Sequence, residues 1–135
     1  TLALNAEAHA LTRGAERHAA FIASTPRGRA QALATMAERT DHVPPEFVVE
    51  VIRAGALCTE APRMIEFAAA SDWPLGEIHC PLRFVWGTAD QLLPWPDAAV
   101  RYRTLFPHAD WIELDGVGHC PQVDVPLETA ELIRP

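Results

Sequence analysis

Cysteine is scarce in this sequence. The three present, Cys58, Cys80 and Cys120, are odd in number, and none shares a C-x-x-C spacing. That argues against a disulfide framework and for reduced thiols in a cytoplasmic protein. Positive charge is also short: 11 Lys and Arg stand against 18 Asp and Glu, a net charge of −7. Neither nucleic acid nor an anionic membrane surface is an expected partner. No apolar run is long enough to span a bilayer, and no signal-peptide pattern opens the chain. His9, His18, His42, His79 and His108 show no HxxxH or HExxH spacing, so no metal site is expected. Internal repeats and low-complexity tracts are absent. The chain also lacks an initiator methionine and ends just after a helical pattern begins, so a fragment or a processed chain is expected.

What remains is a globular composition. The sequence has 135 residues, 49% apolar and 21% charged, enough for a core of useful size. The first half is alanine-rich and reads as helices. Leu4, Ala8, Leu11, Ala15, Ala19 and Ile22 recur at three- and four-residue steps, one helical face. "STP" at 24–26 ends that run and starts another, with Thr25 as cap and Pro26 at the first helical position. Ala30, Leu33, Ala34 and Ala37 carry a second helix. "VPPEF" opens a third, with Phe47, Val48, Val51 and Ile52 aligned and Gly55 as its stop. Thr59 caps a fourth, bearing Ile65 and Ala69.

The style changes near residue 72. "SDWPLGEIHCP" holds Pro74, Gly76 and Pro81, a linker signature. "LRFVWG" at 82–87 reads as a strand halted by glycine, and "ADWIEL" at 109–114 as a second. Between them, "PWPDAAVRYRTLF" reads as a proline-started helix with Ala99, Tyr102 and Phe106 on one face. A last helix starts at Pro126. Strand, helix, strand and helix in this order predict a parallel βαβα unit.

In such sheets ligands bind beyond the carboxyl ends of the strands. The first strand runs into "GTADQLLP", with Asp90 three residues past Gly87. The second runs into "DGVGHCP", with His119 between Gly118 and Cys120. Adjacent strands lie about 4.8 Å apart, which brings Asp90 within hydrogen-bonding reach of His119. A carboxylate on one imidazole nitrogen leaves the other as an outward base. The competing acids have simpler readings. Asp97 suits a helix start, Asp115 a turn, and Asp124 a cap on the last helix. Cys120 reads as a small buried residue, since neighbours in sequence seldom point correctly for proton transfer. Trp73, Trp86, Trp95 and Trp111 read as core or cap contacts. Leu92 and Val117, beside Asp90 and His119, are candidate substrate-pocket residues.

"IHCPLRFVWGTADQLLP" followed by "ADWIELDGVGHCPQVDVP" resembles the C-terminal end of an α/β-hydrolase over about residues 78–135. The resemblance implies an α/β fold in two parts: residues 1–72 as a helical cap, and 73–135 as the C-terminal part of the core. It implies Asp90 as the triad acid and His119 as the triad base. The nucleophile of such proteins sits on a G-x-S-x-G elbow. The two serines here, Ser24 and Ser71, lack that context, so a nucleophile and an oxyanion hole outside this chain are implied. The expected function is hydrolysis of an ester, thioester or related acyl bond in a small apolar substrate, with no cofactor. The isolated chain is expected to be inactive. It is also expected to need its missing N-terminal half or to self-associate through an uncovered strand edge. A second reading is a non-catalytic hydrolase-like protein that binds a ligand or partner. The sequence upstream separates the two, because a serine or aspartate elbow there favours the enzyme.

Overall fold

A computed structural model describes residues 13–70 and 78–134, apart from the side chains of Ile65, Ala68 and Ala69. The expected apolar positions Leu4, Ala8 and Leu11, and also Ser71 and Trp73, lie outside the described residues, as do the side chains of Ile65 and Ala69. The described residues form two compact units. Residues 13–32 and 43–70 make one, and residues 33–42 and 78–134 make the other. The division differs from a single boundary at 72/73, because the chain enters the second unit at 33–42 and then returns.

The first unit is helical. A 3-10 turn at Glu16–His18 runs into α1 (Ala19–Ala23), followed by α2 (Pro26–Leu33), α3 (Pro45–Leu57) and α4 (Ala61–Ala70). Thr25 caps as expected, its Oγ1 accepting the Gly28 N–H at 3.0 Å. This satisfies one of the free amides of the first turn. Pro45 begins α3, where its missing N–H costs nothing. Val48, Ile52 and Ala56 line the buried stripe of α3, which packs against α1 with its buried Ala19 and Ala23. Gly55 does not stop this helix, which continues to Leu57. Glycine costs a helix interior about 1 kcal/mol. Ala56 beyond it is buried on the same stripe as Ile52 and offsets part of that penalty.

The second unit holds the sheet. β1 (Arg83–Gly87) and β2 (Asp110–Leu114) pair in parallel, with Arg83 opposite Asp110 and Gly87 opposite Leu114. α5 (Asp97–Leu105) connects them, and α6 (Pro121–Asp124) and α7 (Pro126–Ile133) follow. Both strands and their direction match the sequence reading. The four-residue α6 was not foreseen. β-Branched and aromatic residues favour the pleated surface, and here they stack across it: the Phe84 and Trp111 rings lie 4.4 Å apart. Tyr102 and Phe106 from the connecting helix close on Phe84 at 5.9 and 5.7 Å. The Arg103 guanidinium covers Trp111 at 4.6 Å, a cation–π contact. Trp86, Ala99, Leu114 and Val117 are buried.

The spacing of Ala30, Leu33, Ala34 and Ala37 carries the expected second helix to Ala37, but α2 ends at Leu33. The Met36 and Ala37 N–H groups both turn back onto the Leu33 carbonyl, at 2.7 and 2.8 Å. Leu33 is fully buried. Leu33→Ala is expected to cost about 2–5 kcal/mol of stability, read as a lower urea midpoint at unchanged slope. A change below 1 kcal/mol would mean that this side chain is not packed as described.

Candidate active site

Two loops leave the carboxyl ends of β1 and β2 and meet. Their meeting depends on Gly87. A Cβ built there would lie 2.1 Å from the Val117 carbonyl oxygen and 2.3 Å from that of Gly118. The Ala89 N–H donates to the Val117 carbonyl at 3.0 Å, tying the loops backbone to backbone. Thr88 adds two bonds. Its N–H donates to the Leu114 carbonyl at 3.0 Å, and its hydroxyl accepts the Gly116 N–H at 2.9 Å. Gly116 turns the chain at φ = 61°, a region that other residues seldom adopt.

This approach sets Asp90 against His119. The His119 Nδ1 and Asp90 Oδ2 atoms are 2.9 Å apart. An ionised carboxylate only accepts, so Nδ1 carries a proton, and in the neutral ring Nε2 then holds the lone pair. The second carboxylate oxygen is already occupied: Oδ1 accepts the Leu92 and Leu93 N–H groups, each at 2.8 Å. The Asp90 side chain is 5% exposed and the His119 side chain 29%. The acid is therefore sealed and aimed, while the imidazole keeps an accessible edge. No described residue hydrogen-bonds His119 Nε2.

The other candidates fall into place around this pair. Leu92 is half-buried, its N–H spent on Asp90. The Val117 side chain is 1% exposed, so it presents no surface to a ligand and packs beneath the loop. Asp97 stands in the first turn of α5, and Asp115 accepts the Thr88 hydroxyl at 3.2 Å. Asp124 does not cap α7. It ends α6, and its carboxylate accepts the Gly118 and Arg39 N–H groups instead. Sequence spacing missed this role because Arg39 lies 85 residues away. Ser24 donates its hydroxyl to the Phe21 carbonyl at 2.7 Å, at the end of α1. Among the described residues, no three His, Cys, Asp or Glu side chains are grouped to hold a metal ion. No described helix is long and apolar enough to cross a membrane.

Cys120 is half-buried beside the pair. Burial pushes its thiol above the ordinary value of 9.0, and the Asp124 and Asp90 carboxylates push it further. A thiol held in its neutral form is a poor nucleophile. Cys120 is therefore expected to react with iodoacetamide more slowly than exposed Cys80 at pH 8, and to gain reactivity only as the pH passes the range of an ordinary thiol. Faster labelling of Cys120 would contradict this placement.

No protein-family model matches this chain, and no solved structure does. The chain is similar to a protein named "Putative hydrolase LipZ" in two strains of Mycobacterium tuberculosis, with 41% identity over 63 residues. The relation is to a protein described as a "putative hydrolase". It takes in 47% of this chain and spans 20% of the length of those relatives.

Proposed function

We propose that this chain supplies the acid and the base of a nucleophile–histidine–aspartate hydrolase acting on ester, thioester or related acyl bonds. The observation that carries the reading is the 2.9 Å contact between Asp90 and His119 Nδ1 on a partly exposed ring whose Nε2 is bonded by no described residue. The likeness over 63 residues to a protein named "Putative hydrolase LipZ" supports it. So does the α/β character of the second unit, whose parallel strands both end at this pair.

In this reading a hydroxyl nucleophile from beyond these 135 residues attacks the acyl carbon, and His119 Nε2 takes the hydroxyl proton. Asp90 stabilises the imidazolium that forms and fixes its orientation. His119 returns the proton to the leaving group as the acyl–oxygen or acyl–sulfur bond breaks. Water then repeats the sequence and frees the acid. No cofactor enters these steps. The helical first unit is assigned to a cap over a small apolar acyl substrate, and the remainder of the same fold to the chain's structural partner.

The test is hydrolysis of p-nitrophenyl acyl esters by the protein that joins this segment to its nucleophile. Turnover is expected there and not from the 135-residue chain alone. Full activity of the joined protein after His119→Ala would overturn the assignment. Turnover by the isolated chain, lost in His119→Ala, would overturn the external nucleophile.

A further inference from the structure

Asp90 fixes the imidazole ring, but the backbone from which the ring hangs needs its own anchor. The residue before His119 and the residue after it are both tied down, and both ties run to segment 33–42. Ahead of it, the Gly118 N–H donates to Asp124 Oδ2 at 2.5 Å. Behind it, the Cys120 N–H donates to the Met36 carbonyl at 2.7 Å. Asp124 then reaches segment 33–42 through its other oxygen, which accepts the Arg39 N–H at 2.7 Å. Two further bonds hold that segment against the same region: His42 Nε2 to the Val123 carbonyl, and the Arg39 guanidinium to the Asp115 carbonyl, both at 2.8 Å.

Asp124 is 3% exposed. A buried carboxylate is costly unless its oxygens are matched to donors. Here each oxygen takes a backbone N–H, and an acceptor-only group is what two facing donors require. An amide in its place would have to present its own N–H₂ to one of them. We propose that Asp124 is a positioning residue for His119. It clamps the Val117–Gly118 peptide, one residue ahead of His119, to segment 33–42 and so sets where the ring sits relative to Asp90. Its effect on rate rests on the hydrolase reading; its effect on His119 geometry does not.

Asp124→Asn keeps the size of the side chain and spoils the match. In the 135-residue chain, the Gly118 amide is expected to exchange at least tenfold faster, and the His119 Nδ1 proton resonance to shift or broaden, while amides of β1 and β2 keep their positions. In the protein carrying the nucleophile, kcat is expected to fall about 10²-fold at unchanged KM, the scale of a 1 Å misplacement. A folded Asp124→Asn with the wild-type Nδ1 resonance and wild-type kcat overturns the proposal. Should the variant fail to fold, scalar coupling between the Gly118 amide nitrogen and the Asp124 carboxylate carbon in the wild type decides: its presence supports the clamp and its absence overturns it. A shifted Nδ1 signal in a protein without hydrolase activity would keep the positioning role and remove the hydrolase reading. Activity lost in His119→Ala but unchanged in Asp124→Asn would do the reverse.

Discussion

Asp90→Asn is expected to lower kcat by about 10⁴-fold in the protein that joins this segment to its nucleophile, with little change in KM. The size follows from which way the new amide must point. The Leu92 and Leu93 N–H groups both donate to Asp90 Oδ1. An asparagine can serve them only with its carbonyl oxygen, which turns its N–H₂ toward His119. The imidazole must then accept at Nδ1 and carry its proton on Nε2. The base is lost although its position is kept. Loss of charge alone would leave the tautomer free to choose, and the backbone donors remove that freedom. Asp90→Asn with kcat within tenfold of the wild type would show that the carboxylate does not set the proton position.

Gly87→Ala is expected to cost both stability and activity. The added methyl would sit 2.1 Å from one backbone carbonyl oxygen and 2.3 Å from the next. Neither is the tip of a flexible side chain, so the loop itself must move. Overpacking of this kind costs about 3 kcal/mol. It is also expected to break the Ala89 to Val117 hydrogen bond that joins the two loops. Stability and activity are expected to fall together, since even a 1 Å displacement of a reacting group costs about 10²-fold. Urea unfolding measures the first and ester turnover the second. An Ala variant with unchanged midpoint and unchanged kcat would show that the loops do not meet as described.

Where the sequence was legible, the signal was local. The two strands stand out because six-residue β-rich runs end in glycine or run into turn residues, and Asp90 and His119 follow from where those strands stop. Gly116 and Gly118 around the histidine announce an unusual turn, and Gly116 does take a positive φ. Where the sequence misled, the deciding contacts were distant. Ala34 and Ala37 continue a helical spacing, yet Ala37 is buried within the unit that contains the histidine loop, past the end of α2. Asp124 looks like a helix cap because Pro126 follows it. Its partners lie at positions 39 and 118, and no window of a few residues contains both. Val117 sits beside the histidine in sequence, but packing decides its exposure, and packing buries it.

The measurement closest to the central claim is nitrogen NMR of the neutral His119 ring in the wild-type chain, repeated in Asp90→Asn. The structure predicts a protonated Nδ1 with a low-field proton in the wild type and an unprotonated Nε2, exchanging places in the variant. A wild-type ring protonated on Nε2, or one whose tautomer ignores Asp90→Asn, would contradict the pairing on which the hydrolase reading stands.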